Sequence, residues 1–293
     1  MLGQQILNGI TAGATYALFA LGFTLMFGVL RVINLTYGFY FSAGAFLALF
    51  LAKSLALPIW LVLPLTALGA GLTAMLLDGL LLTRLRRVKA SELASLMVTL
   101  GATLLLYALM TAGFGTEIRR FPAAWFDGGA VGFAGLRLSA SPVLVIATAA
   151  ILVIGLMLLI ERSRFGLALR ALSENGEAAQ LMGVDADGLV RLVSFISGAL
   201  GGTAGLLIGL EFNAIEPYMG EAMMLKGFAV IIIGGLGDIR GALIAGLLVG
   251  LLEALTAGYV ASSLKDAVGF GLLVLTLWVR PVGLFGRAAI RRA

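Results

Sequence analysis

Long runs without a charged residue are the feature that most constrains this chain. Residues 1–30 contain no Asp, Glu, Lys or Arg, and five more runs are equally free of charge: 32–52, 54–77, 93–116, 138–160 and 192–210. About 20 apolar residues at 1.5 Å each cross the roughly 30 Å hydrocarbon core of a bilayer. Each run is therefore predicted to form a membrane-spanning helix. The first run lacks the basic start and small-residue cleavage site of a signal peptide, so we expect it to persist as a helix.

Composition supports the same class. Hydrophobic residues make up 61% of the chain and charged residues only 12%, whereas a soluble domain carries about 25% charged residues. The 40 glycines are scattered through apolar runs, where small residues let membrane helices approach closely. The sequence predicts an all-α, polytopic membrane helix bundle in which residues 1–293 form a single transmembrane domain.

Charged residues interrupt the last quarter of the chain. Three further spans are predicted there, near 219–236, 241–258 and 264–280, and at least one of them is expected to be broken. The total is about nine spans, or eight if the 219–258 pair is partly re-entrant. The interrupting residues are Glu221, Lys226, Asp238, Arg240, Glu253 and Asp266.

The distribution of basic residues predicts the orientation. Most of the 20 Lys and Arg residues fall on one side of the membrane if the N-terminus is outside and the C-terminus is cytoplasmic. Cytoplasmic loops carry the excess of Lys and Arg. The connection 117–137 is then outside, where Trp125 and Phe126 suggest an interfacial cap, and 161–191 is cytoplasmic.

The chain has no Cys and no His. This excludes disulfides, Cys or His metal sites and His-based general acid–base chemistry. A membrane enzyme is disfavoured for the same reason. The sequence therefore points to transport rather than catalysis.

The segment 161–191 is the most polar stretch. Ser173 followed by Glu177, Ala178 and Ala179 is predicted to form a short amphipathic helix that ends at Gly183. Such a helix fits two interpretations: a solvated connector on the membrane surface, or a docking surface whose small residues admit a partner groove. Periodicity does not separate them.

Motifs along nearly the whole chain resemble those of ABC importer permeases, and more specifically of branched-chain amino acid permeases. No single piece is decisive, but many occur in order. They are Gln5, Leu7-Asn8-Gly9, Gly13, Tyr16-Ala17-Leu18, Ala20-Leu21-Gly22, Thr24-Leu25, Phe27-Gly28-Val29, Ile33-Asn34, Thr99-Leu100-Gly101, Gly166, Arg170-Ala171, Ala178-Ala179, Leu181-Met182-Gly183, Ala204-Gly205, Lys226-Gly227-Phe228, Gly234-Gly235-Leu236-Gly237, Gly241-Ala242 and Arg280-Pro281 to Gly286.

The resemblance implies the shorter of two paired permeases, which imports branched-chain or similar small amino acids by alternating access in the cell inner membrane. It also implies a second permease subunit, two ATP-binding subunits and an extracytoplasmic substrate-binding protein. The chain contains no phosphate-binding loop of the Gly-x-x-x-x-Gly-Lys-Ser/Thr type. ATP and Mg are therefore expected on the partner subunits, with no cofactor bound by this chain and no enzymatic role for it.

The resemblance further assigns candidate residues. The cytoplasmic coupling segment, residues 161–191, would contact the ATPases through Arg170, Ala171, Glu177, Ala178, Ala179, Leu181, Met182 and Gly183. Two stretches depart from the family pattern: Asn34-Leu-Thr-Tyr-Gly38 replaces Asn-Phe-Ala-His-Gly, and Gly235-Leu-Gly-Asp-Ile-Arg-Gly241 replaces Gly-Leu-Gly-Ser-Ile-Pro-Gly.

Broken spans near the midplane shape substrate sites in many transporters. The candidates for the translocation path or gate are Asn34, Tyr37, Gly38, Lys226, Gly234, Gly235 and Gly237. For the glycines, tight helix packing is an equal alternative. Asn34 and Tyr37 suit an interfacial cap and anchor as well.

Lys226 and Glu253 are membrane charges in consecutive antiparallel spans. A charge in hydrocarbon costs roughly 2.5–3.5 kcal/mol on insertion scales, so such residues face the bundle interior or a partner. We expect the two to pair, and we expect Lys226 to shape the inner path or its gate. A snorkelling or simply buried charge is the alternative.

Other cargo and other transport classes stay open at this point. Urea or short amides, and aromatic or other carboxylic acids, are alternative substrates of similar ABC permeases. An ATP-independent channel or secondary transporter is the alternative of another class. It would show a chain of membrane acids or a filter-forming ring, and neither is evident in the sequence.

Overall fold

The computed structural model describes residues 2–30, 33–88, 90–122, 125, 131–133, 136–138 and 140–286. Helices dominate this part of the chain. Their bounds are α1 Leu2–Leu30, α2 Thr36–Ser54, α3 Ile59–Leu77, α4 Thr83–Arg87, α5 Glu92–Phe114, α6 Ala140–Arg162, α7 Arg164–Glu174, α8 Gly176–Leu181, α9 Ala186–Phe212, α10 Met219–Gly234, α11 Ile239–Tyr259 and α12 Lys265–Val279.

Each of the nine predicted spans coincides with one long helix, and the all-α bundle is confirmed. Seven helical stretches are long and apolar enough to cross a membrane: Leu2–Val29, Ile59–Arg86, Glu92–Phe114, Ser141–Arg162, Ala186–Phe212, Ile239–Tyr259 and Ser262–Val279. The remaining two, α2 and α10, fall short of that measure. Helix α10 has only 16 residues, and α2 begins with polar residues that lie buried among the other helices.

Helices α1 and α9 form the centre of the bundle. In their most apolar windows 83% and 72% of the residues are buried, whereas α5 and α12 keep most of their apolar side chains exposed, as expected for helices that face lipid or another subunit. Close packing depends on glycine at two crossings. A Cβ on Gly44 would overlap the backbone of Gly202, and one on Gly250 would overlap the backbone of Gly13.

The third span extends beyond the predicted boundary at residue 77. A single π-helical turn, Asp78–Leu82, continues α3 into α4. Asp78 is 1% exposed, and the Arg86 guanidinium donates to both of its carboxylate oxygens at 2.9 Å. A bidentate Arg pair satisfies the buried carboxylate. The acid that ended the predicted span is thus accommodated inside the helix.

The connection between α5 and α6 contains the only strands within the described residues. Val131–Phe133 (β1) pairs antiparallel with Leu136–Leu138 (β2), an addition to the predicted all-helical fold. Upstream, Arg119 forms an isolated bridge with Ile215 in the α9–α10 connection. Trp125 stacks on Phe121 with ring centroids 5.1 Å apart. Phe126, the other residue of the predicted cap, lies outside the described residues.

Candidate functional site

The connection between α10 and α11 contains the predicted Gly234 to Gly241 break, but it lies between two spans, and α10, α11 and α12 are each continuous. Helix α10 ends at Gly234, and Gly235 and Gly237 adopt φ values of 110° and 86°, which favour glycine. Asp238 caps α11 by accepting a hydrogen bond from the Gly241 amide at 2.7 Å. The freed carbonyls of α10 are also satisfied, because the segment after α12 donates to them: Leu284 N to Ile233 O at 2.8 Å, and Phe285 N to Gly234 O at 3.0 Å.

This break forms one wall of a large cavity, which we call the Asp238 cavity. Its volume is about 890 Å³. The end of α1, the end of α6 and the second half of α7 form the other walls. Among the predicted residues, Gly237 and Arg170 line it, while Gly234 packs against Gly241 and Gly235 against Gly286. The lining residues are Thr24, Leu25, Phe27, Gly28, Val29, Met157, Ile160, Glu161, Leu169, Arg170, Ser173, Leu236, Gly237, Asp238, Ile239, Arg240 and Gly286.

Two arginines tie the walls of the Asp238 cavity together. Arg240 donates to Glu161 Oε1 at 2.7 Å, which joins the start of α11 to the end of α6. Arg170 donates to the Ile160 carbonyl at 2.7 Å, where the C-terminal end of α6 favours a cation. The polar segment is therefore attached directly to the cavity wall.

The second predicted break, Asn34 to Gly38, lies in the packed core. Asn34 Oδ1 accepts a hydrogen bond from the Thr36 amide at 3.0 Å. The Tyr37 hydroxyl donates to the Phe19 carbonyl at 3.0 Å, and a Cβ on Gly38 would lie 2.7 Å from the Gly220 carbonyl oxygen. Asn34, Tyr37 and Gly38 do not line the Asp238 cavity. Their part in a translocation path stays a prediction.

Lys226 and Glu253 form the predicted pair. The ammonium lies 3.0 Å from Glu253 Oε2 and 3.1 Å from Oε1. It also contacts Asp266 Oδ1 at 2.7 Å and the Tyr16 hydroxyl at 3.3 Å, and that hydroxyl donates to Glu253 Oε2 at 2.8 Å. Four residues from α1, α10, α11 and α12 thus form one network, which we call the Lys226 network.

Tyr16 and Asp266 are members of this network that the sequence analysis missed. Tyr16 is 6% exposed, and in the sequence it is one aromatic residue among many in the apolar runs. Asp266 lies in the first turn of α12, where an acid stabilises the helix N-terminus. Both are polar residues near the centre or the start of a predicted span. That position does not indicate which residue each one contacts.

A second, smaller cavity lies beside the Lys226 network, and we call it the Glu211 cavity. Its volume is about 350 Å³. It includes Tyr16 and Glu253, whereas Lys226 itself lines neither cavity. The lining residues are Gln5, Asn8, Thr11, Ala12, Tyr16, Pro142, Glu211, Phe212, Gly250, Glu253, Ala254, Ala257 and Lys265. Helices α1, α6 and α11 contribute to both cavities, which lie at opposite ends of the bundle.

The polar segment forms two short helices. Ser163 caps α7 by accepting from the Gly166 amide at 3.2 Å, and Asn175 caps α8 by accepting from the Ala178 amide at 3.0 Å. The predicted start at Ser173 is therefore wrong: Ser173 lies in the last turn of α7, and Asn175, a better N-cap in this context, begins the next helix. The predicted end at Gly183 is confirmed by its φ of 88°.

The tip of α8 presents large apolar side chains to solvent. Leu181 is 89% exposed and Met182 86% exposed, whereas Ala179 is 5% exposed and packs inward. Arg170, Ala171, Glu177 and Ala178 belong to the same two helices. Exposed Leu and Met side chains next to small residues are typical of a surface that another protein covers.

Comparison with known proteins decides the family. A family profile described as the branched-chain amino acid transport system permease component matches residues 5–277. The chain belongs to this permease family.

Curated relatives match over nearly their full length. The high-affinity branched-chain amino acid transport system permease protein BraD of Pseudomonas aeruginosa is 30% identical, with 99% of this chain and 97% of the relative covered. LivH of Escherichia coli K12, with the same description, is 31% identical over the same shares. The probable branched-chain amino acid transport permease protein LivH of Methanocaldococcus jannaschii is 34% identical, covering 97% and 93%. No solved structure matches the chain significantly.

The family and the seven apolar stretches make the permease a multi-pass protein of the inner membrane. Within the described residues, no group of three or more Asp, Glu, His or Cys side chains could hold a metal ion.

The Arg240–Glu161 pair provides a first test on the permease. Arg240 occupies the position of Pro in the common family pattern and lies in the first turn of α11, where Pro is tolerated. Both partners are well exposed, at 70% and 49%, and such pairs contribute little to stability. We expect Arg240→Pro to leave the midpoint of reversible SDS unfolding unchanged. A clear shift of this midpoint to lower SDS would show that the pair holds α6 against α11.

Proposed function

We propose that this permease is the transmembrane subunit of an ABC importer that moves branched-chain or similar small amino acids inward. The observation that carries the proposal is the exposed α7–α8 segment, which is joined through Arg170 to the wall of the Asp238 cavity. Relatives described as branched-chain amino acid transport system permeases support the cargo class. ATP and Mg would be bound by two partner ATPase subunits, and a second permease and an extracytoplasmic binding protein would complete the complex.

The orientation follows from this assignment. If α7 and α8 contact the ATPases they are cytoplasmic, and the N-terminus is then outside, as the distribution of basic residues also favours. The Asp238 cavity would open to the cytoplasm and the Glu211 cavity to the outside. Between them α1 and α11 are tightly packed, with Ala17 against Gly246 and Gly13 against Gly250.

Alternating access would require the two ends to open in turn. Closure of the ATPases would move α7–α8 as a rigid body, since α7 packs directly on the end of α6 through Gly166, and packed interfaces switch between discrete arrangements. The Gly234 to Gly241 break and Arg240 would then shift against Glu161. In this mechanism Lys226 acts as an interior tie near one cavity.

The complex itself is the first test. The permease is purified from its native membrane in mild detergent, and the accompanying proteins are identified by mass spectrometry. Two ATPase subunits and a second permease are expected. Recovery of the chain alone, with flux in liposomes that needs no ATP, would favour a channel or secondary transporter. The binding protein can be screened with leucine, urea and carboxylic acids, so that the cargo alternatives are separated.

Ala178 offers a sharper test of coupling. Its side chain is exposed on α8, so a bulky residue fits without disturbing the permease itself, whereas the neighbouring Ala179 is buried and is unsuitable for this purpose. We expect Ala178→Trp to lower ATP-driven uptake at least tenfold while the assembled complex still hydrolyses ATP. Ser263→Trp, exposed at the opposite end, is the matched control. Unchanged uptake, with substrate-stimulated hydrolysis also unchanged, would remove α8 from the coupling surface.

A further inference from the structure

The Glu211 cavity contains a buried acceptor that the fold leaves unused. The Oε2 atom of Glu211 is buried, and none of the described residues donates a hydrogen bond to it. Glu211 lies one residue before the end of α9, and the cavity extends from there to Tyr16 near the middle of α1. A buried carboxylate oxygen without a donor is costly, so its position at a cavity wall indicates that a ligand supplies the donor.

The charges around the cavity leave it negative. Glu253, the other acid of the lining, is already satisfied by Lys226 and Tyr16. Lys226 is in turn held by Asp266 and is not available to Glu211. When the network and the lining are counted together, the three carboxylates of Glu211, Glu253 and Asp266 outnumber the two ammonium groups of Lys226 and Lys265 by one. An anionic ligand would therefore be repelled, and a neutral one would leave Glu211 without a charged partner.

The remaining lining suits an organic cation. Asn8 and Gln5 supply amide oxygens, and the Thr11 hydroxyl donates to the Leu7 carbonyl, which leaves its oxygen lone pairs as acceptors. These acceptors alternate with the apolar surfaces of Pro142, Phe212, Ala12, Ala254 and Ala257. An ammonium group carries three donors and no acceptor. A bare inorganic cation would need several oxygen ligands around it, and would leave the apolar walls uncovered.

We infer that the Glu211 cavity binds a small organic molecule through a primary ammonium group, with Glu211 as its charged acceptor and the alanine-rich wall around its hydrocarbon part. The volume of about 350 Å³ lies at the small end of known ligand pockets. The site does not depend on ATP-driven import. Either a simple amine or the α-ammonium end of an amino acid presents the required chemistry.

Binding is measured on the purified full-length chain in lipid nanodiscs, by scintillation proximity with radiolabelled isobutylamine at fixed ionic strength. Saturable binding is expected. Glu211→Gln keeps the shape and removes the charge, so we expect at least a tenfold loss of affinity, because a hydrogen bond to a charged partner is lost. Glu216→Gln, an exposed residue in the next loop, removes the same charge outside the cavity and should leave affinity unchanged.

A second variant tests the hydrocarbon part. Ala257→Leu adds volume to the apolar wall without a change of charge, and is expected to weaken isobutylamine binding as well. Leucine is then used as a competitor. Competition would identify a zwitterionic amino acid as an acceptable source of the ammonium group, and its absence would restrict the site to amines without a carboxylate.

Three results would overturn the inference. The first is equal affinity of Glu211→Gln and the unaltered chain. The second is displacement of isobutylamine by an equal concentration of Na⁺ at constant ionic strength, which would indicate an inorganic cation site. The third is no saturable binding by a monodisperse, unaltered chain. None of these depends on transport, so they leave the proposed import function to its own tests.

Discussion

Lys226→Met should lower the free energy of unfolding by roughly 3–5 kcal/mol, the cost of breaking a buried ion pair from one side. Glu253 is 5% exposed, and its two oxygens would lose their ammonium partner. Only the Tyr16 hydroxyl would still donate to it. Asp266 would be affected less, because its side chain is 52% exposed and can be solvated. The measurement is reversible SDS unfolding, followed by the fluorescence of the three Trp residues.

The double variant separates charge burial from a loss of packing. Lys226→Met with Glu253→Gln removes both charges and keeps the hydrogen bond from Tyr16, so we expect it to recover at least half of the lost stability. Lys53→Met is the control for removal of a lysine, since Lys53 is exposed in the last turn of α2. A double variant as unstable as the single one would mean that the packing of the Lys226 side chain, rather than its charge, holds the helices together.

The same variants address the role of Lys226 in transport. The sequence analysis assigned Lys226 to the inner path or gate. Its partners Tyr16 and Glu253 line the Glu211 cavity, which is the outer one in the proposed orientation. Normal uptake by Lys226→Met at normal expression would contradict a role in the path. Reduced uptake that the double variant restores would instead fit a structural tie.

The helices could be predicted because membrane burial acts on single residues. A charge in a span is costly wherever its partner is, so uncharged runs such as 93–116 mark α5 almost to the residue. The third span was predicted to end too early, at residue 77, because the charge of Asp78 is neutralised by Arg86, eight positions later in the same helix. The pattern of charged residues along the sequence shows the acid, but it does not show which basic residue forms an ion pair with it.

Contacts between side chains of different helices were predictable only where the two helices are neighbours along the chain. Lys226 and Glu253 lie in consecutive antiparallel spans, so their pairing could be anticipated. Tyr16 reaches the same point from α1, 210 positions before Lys226, and no spacing rule connects them. The Glu211 cavity depends on how α1, α6, α9 and α11 assemble, which is a property of tertiary packing alone.

The prediction of helix caps from local sequence is limited in the same way by packing against other helices. Both Ser173 and Asn175 are good N-cap residues, and the sequence analysis chose the first. The chain turns at Asn175, whose φ of −148° and ψ of 102° are extended, because α7 continues through Ser173 along the end of α6. The choice between the two caps was made by packing against another helix.

Gly250→Val should have an effect of comparable size at the crossing of α1 and α11. A Cβ at position 250 would overlap the Cα and amide nitrogen of Gly13 and lie 2.8 Å from the Gly9 carbonyl oxygen. Because these are backbone atoms, no side-chain rotation relieves the overlap and the two helices must separate. Overpacking costs 1–3 kcal/mol and occasionally more, so we expect a loss of about 3 kcal/mol in the same SDS assay.

Gly155→Val in α6 is the matched control, since a Cβ there meets no atom within 4 Å. It should unfold as the unaltered chain does. Equal effects of the two variants would assign the loss to helix propensity instead of the crossing. Because α1 and α11 each border both cavities, a milder Gly250→Ala variant that still folds should also impair uptake. Unimpaired uptake would mean that the close approach of these helices serves stability and has no part in the movement between the two ends.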